Sequence, residues 1–96
     1  MRSIDRRALD AQSIAIRALG FIAGDAERLG RFLSLTGIGP ETLRQSAAEP
    51  HFLASVLDFL AEDEGAVLAF AANEGLRPDA VGAARQALAG HAANDF

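Results

Sequence analysis

Two stretches, Gly37-Ile38-Gly39-Pro40-Glu41 and Gly75-Leu76-Arg77-Pro78-Asp79, lie 38 residues apart and constrain the fold more than any other feature of the chain. Glycine reaches the left-handed backbone conformation that ends a helix, and proline suits the first helical position, where no N–H is needed. Each stretch therefore closes one helix and opens the next. Ile38 with Leu43, and Leu76 with Val81, take the two positions of a hydrophobic staple. Glu41 and Asp79 fall in the first turn, where the helix dipole favours an anion.

Carrying the 38-residue register backwards pairs Asp25 with Asp63 as N-caps, Phe32 with Phe70, Phe21 with Phe59, Leu19 with Leu57 and Ala23 with Ala61. Residues 14–43 against 52–81 give seven identities in thirty, and these fall on caps and apolar positions. The expected architecture is all-α, a compact bundle of five to six short helices near 5–23, 26–36, 40–48, 50–61, 64–74 and 78–89. They form two pseudo-repeated three-helix units that pack face to face, and residues 1–96 make a single domain with a flexible tail at 90–96. Two units are too few for a solenoid, which needs about three.

Composition supports helix throughout. Half of the 96 residues are apolar, and 21 of them are Ala, which loses no side-chain entropy in a helix. Ala15, Ala18, Leu19 and Ile22, and again Leu53, Val56, Leu57 and Leu60, recur at helical spacing and mark faces that must be buried. Phe21 and Phe59 lie to the side of these stripes. They are expected either to cover a neighbouring helix or to remain as candidate partner contacts.

The residue inventory excludes much chemistry. With no Cys there is neither a disulfide nor a thiolate site. The Arg-bearing start of the chain leads into an amphipathic stretch, with no apolar signal core and no run of about 20 apolar residues able to span a bilayer. A cytoplasmic protein is expected. His51 and His91 are the two histidines; His51 stands at a helix start without a nucleophile, and His91 belongs to the tail. No catalytic residue, cofactor or enzymatic activity is expected. Asp58, Glu62, Asp63 and Glu64 lack the spaced oxygen ligands of a calcium loop and read as a solvated face, so no metal is expected either.

Charge is uneven. Residues 1–48 hold seven Arg against five acids, and residues 49–96 hold two Arg against eight acids. Such asymmetry can orient a partner or a second copy, although it also serves solubility alone.

Leu35 to Leu43, centred on Gly37-Ile38-Gly39-Pro40, resembles the hairpin of helix-hairpin-helix DNA-binding domains. The resemblance implies that backbone N–H groups at a helix start meet a phosphate, with Arg28, Arg31 and Arg44 as candidate nucleic-acid contacts beside Gly37, Ile38 and Gly39. It covers about twenty residues, and this chain departs from it. Glu41 stands where that family commonly has a basic residue, and the second copy has Arg77 in place of the second glycine. Arg31 with Glu27, and Arg44 with Glu41, are also spaced to pair along their own helices. A chain of net charge −4 offers a positive field only locally.

From Ala18 to Leu88 the chain is similar to a family of small alphaproteobacterial helical proteins, domain of unknown function 3572. The similarity is carried by Phe21-Ile22-Ala23-Gly24-Asp25, Arg28-Leu29-Gly30-Arg31-Phe32-Leu33, Thr36-Gly37, the Pro50 to Leu60 segment, Phe70 and the Gly75 to Val81 turn. It implies a helical fold in a bacterial cytoplasm and transfers no catalytic residue. The expected role is a protein-interaction module, an adaptor, regulatory or self-associating protein; the alternative is nucleic-acid backbone binding at Gly37–Pro40. Exposed Phe or Leu in a groove favours the first, and Arg28, Arg31 and Arg44 converging beside the turn favour the second.

Overall fold

A computed structural model describes residues 6–93, with side-chain environments for residues 10–39 and 41–90. Six helices follow in order: α1 (Arg6–Ala23), α2 (Ala26–Thr36), α3 (Pro40–Ser46), α4 (Pro50–Ala61), α5 (Glu64–Glu74) and α6 (Asp79–Ala93). No strand occurs among the described residues.

The boundaries follow from local chemistry. Asp25 accepts the backbone N–H groups of Glu27 at 3.1 Å and Arg28 at 3.3 Å, and Asp63 accepts that of Ala66 at 3.1 Å, so both act as the N-caps that their type and spacing predict. Gly37 and Gly75 end α2 and α5 in the left-handed conformation, at φ 70° and 69°. A side chain at either position would strain the backbone. Pro40 opens α3, whereas α6 begins at Asp79, just after Pro78.

The core is built from α1, α4 and α6. α4 packs most extensively on α6 and also on α1, while α1 and α6 meet along their lengths. Ala11, Ala15 and Ala18 of α1 and Ala84 of α6 are buried, and their small side chains let the helix axes approach closely. Leu53, Val56, Leu57 and Leu60 of α4 are at most 1% exposed, so the whole predicted stripe is core. Ile22, Phe32, Phe52, Ala66, Phe70, Ala71, Val81 and Leu88 complete it, and no buried residue among those described is polar.

Phe21 of α1 meets Phe70 of α5 edge to face at 5.6 Å, and Phe59 of α4 meets Phe32 of α2 in the same manner at 5.3 Å. Both contacts join the N-terminal half of the chain to the C-terminal half. The third helices differ. α3 has seven residues and α6 has fifteen, and only α6 covers both α1 and α4.

The expected tail at 90–96 falls partly outside the described residues. α6 runs to Ala93, and residues 94–96 are not described.

Candidate functional site

Phe32 is the one buried residue of α2, and it stands between two side chains of α4. Its ring meets Phe52 at 5.8 Å and Phe59 at 5.3 Å, both edge to face, the arrangement favoured by aromatic quadrupoles. Phe52 and Phe59 are seven residues apart, two helical turns, and so project from one face of α4. Three rings thereby act as a spacer. The backbones of α2 and α4 make little close approach, and a groove remains between them.

This groove runs antiparallel along the two helices. At one end a depression of about 200 Å³ is bounded by Arg28, Arg31 and Leu35 on the α2 side and by Phe59, Glu62, Asp63 and Ala66 opposite. The next depression, also about 200 Å³, shares Leu35, Phe59 and Glu62 with the first and adds Phe32, Thr36, Ser55 and Asp58. A third, about 260 Å³, extends to Ile38, Glu49 and His51. From residue 28 to 36 the α2 wall is about 12 Å long at 1.5 Å per residue.

Leu35 stands on the rim. It is 74% exposed, the most exposed large apolar side chain among the described residues; Ile16 and Leu68 follow at 51%.

The charges along the groove are of two kinds. Arg28 is engaged: its guanidinium lies 3.3 Å from Asp25 Oδ2 and 3.7 Å from Asp63 Oδ2, and 5.3 Å above the Phe21 ring. One arginine thus joins both N-caps and shields an aromatic face. Asp58 is paired with Arg85 of α6. Arg31 and Glu62 are exposed, and neither forms an ion pair among the described residues.

The residues singled out from sequence divide accordingly. Phe21 and Phe59 are both half-buried against the core. Phe59 lines the groove, whereas Phe21 is covered by Arg28. The pairs expected between Glu27 and Arg31, and between Glu41 and Arg44, do not form. Surface charges gain little from pairing, so helical spacing alone does not enforce it.

At the glycine turn, the Gly37 N–H donates to Leu33 O at 2.9 Å and the Ile38 N–H to Thr36 Oγ1 at 3.4 Å. Gly39 caps α3 without a side-chain hydrogen bond. The Glu41 carboxylate folds back over the turn: a Cβ placed on Gly39 would sit 3.4 Å from Glu41 Oε1. Arg28 and Arg31 are not gathered there, being nine and six residues before Gly37 on α2, about 14 and 9 Å along the axis. Arg44 is exposed on α3.

His51 lies at the far end of the groove with Ser46 and Ser55. Ser55 Oγ donates to Phe52 O at 2.6 Å, and His51 has no hydrogen bond to either serine. No group of three potential metal ligands occurs among the described residues, and no described helix is long and apolar enough to cross a membrane.

The groove depended on a long-range packing signal that periodicity does not carry. Leu35 shares the α2 helix with Phe32, but its exposure follows from how far the three rings hold α2 from α4. Only the Phe residues hinted at it.

No curated protein and no solved structure matches the chain. A family model described as Protein of unknown function (DUF3572) matches residues 8–91, a span containing both hairpins and the groove between them. The chain belongs to this family.

Proposed function

We propose that the protein is a non-enzymatic protein-interaction module, an adaptor or regulatory subunit, whose docking face is the groove between α2 and α4. The observation that carries this reading is Leu35, 74% exposed above a floor of Phe32 and Phe59. Covering a Leu side chain yields about 1.5–3 kcal/mol, which a partner would supply. An apolar centre with a charged rim matches the anatomy of protein interfaces, and a groove between two helices accepts the apolar face of a third. The Cys-free composition and the family resemblance support a place in the cytoplasm of an alphaproteobacterium.

The alternative, phosphate binding at Gly37–Pro40, has less in its favour. Arg28 is held by two aspartates, and a carboxylate lies over the turn itself.

Leu35→Arg supplies the test, because a substitution at so exposed a site is expected to alter stability by no more than about 0.5 kcal/mol. Tagged wild-type protein and the variant are used for affinity capture from native lysate, with and without nuclease. Wild type is expected to recover a discrete protein regardless of nuclease, and the variant to lose it. Recovery unchanged by Leu35→Arg would overturn the reading, and recovery abolished by nuclease would transfer it to the glycine turn.

A further inference from the structure

The geometry points to a second copy of this chain as the occupant of the groove. This inference rests on the docking reading above and names the partner. Arg31 on the α2 wall and Glu62 on the α4 wall bound the same depression, on either side of its opening, with Leu35 beside them. Both are exposed, neither has an ion-pair partner among the described residues, and their signs are opposite.

A two-fold axis lying in the interface plane, parallel to the groove and above its midline, sets each wall against the opposite wall of the other copy. Arg31 of one copy then faces Glu62 of the other, twice. Leu35 of each copy is brought over the α4 wall of its mate, where Phe59 offers half-buried aromatic surface. Such a contact is isologous, so it closes at two copies and leaves no unpaired face from which a filament could grow.

Other charges on these walls do not disturb the match. Arg28 is bound to Asp25 and Asp63, and Asp58 to Arg85, so each is locally balanced. A partner helix of uniform charge would satisfy one wall and oppose the other. The same patch on a second copy satisfies both. The contact is small and its rim is wet, so association is weak, driven by burial of the two Leu35 side chains and given its register by the rim.

Sedimentation equilibrium on the full chain reads this directly. The weight-average mass of wild type is expected to rise from 10.1 kDa towards twice that value as concentration enters the millimolar range. Leu35→Arg should weaken association by at least about tenfold, as expected for a residue at the centre of an interface. Arg31→Glu sets like charges against each other at both rims and should weaken it by about tenfold. The double variant Arg31→Glu, Glu62→Arg restores the opposite signs and should recover most of the loss. Unchanged circular dichroism in every variant establishes that folding is intact.

A wild type that stays at 10.1 kDa throughout overturns the inference. So does a double variant no better than the single reversal, because it removes the reciprocal pairing. The two readings fail separately: a monomeric wild type that still captures another protein through Leu35 defeats the second copy and spares the docking face. A dimer insensitive to Leu35→Arg defeats the inference and leaves capture to judge the groove.

Discussion

Phe32→Ala is expected to destabilise the protein by about 3–5 kcal/mol, in the range for truncating a buried Phe. Phe32 is 1% exposed and makes edge-to-face contacts with both Phe52 and Phe59. Each such contact adds about 0.5–1.5 kcal/mol beyond the area buried. No other residue of α2 is fully buried, with Leu29 and Leu33 packed only in part. The loss should therefore be local as well as global. In amide hydrogen exchange, α2 should lose protection before α1, α4 and α6, which hold each other independently of it. Chemical denaturation gives the magnitude. A loss below about 1 kcal/mol, the usual size for an unremarkable substitution, would mean that Phe32 is not what holds α2 to α4.

The second large effect concerns two leucines at corresponding positions. Leu57→Ala should cost about 2–5 kcal/mol, because Leu57 is fully buried in a helix flanked by both α1 and α6. Leu19→Ala, 38 residues earlier, should cost about half as much, since removal of a half-buried side chain loses less transfer energy and leaves a smaller cavity. The asymmetry is one of burial: Leu57 is enclosed where α4 meets both α1 and α6, whereas Leu19 packs only in part against the core. Parallel denaturation of the two variants checks this. Equal losses would show that the halves are packed equivalently.

These two cases indicate what could be read from the residues alone. Asp25, Asp63, Gly37 and Gly75 act where their types and neighbours require, because a cap is decided within four or five residues of itself. The stripe Leu53, Val56, Leu57 and Leu60 was legible for a similar reason: a face repeated at helical spacing must be buried against something. Which helix buries it is not local. Nothing in the Pro78 to Leu88 segment announces that α6 reaches across both halves while α3 stops at Ser46.

The groove illustrates the limit further. Leu35 stands three residues after Phe32, the one buried residue of α2, yet it is the most exposed large apolar residue described. Its position depends on rings contributed by α4, fifteen or more residues away. The charges were still less predictable. Arg28 was a candidate phosphate contact by proximity in sequence, and its partners are instead two N-cap aspartates, one of them in the other half of the chain. Arg31, spaced to pair with Glu27, remains available on the rim.

Site-specific photo-crosslinking tests the docking face most directly. A photoreactive phenylalanine analogue is placed at Leu35 in the groove rim and, separately, at Gln86 on the exposed side of α6, and the protein is irradiated in its native cells. The account predicts protein adducts from position 35 and none of comparable yield from position 86, with an adduct of twice the chain mass where the second copy is the occupant. Adducts from position 86 alone, or equal yields from both positions, would contradict it.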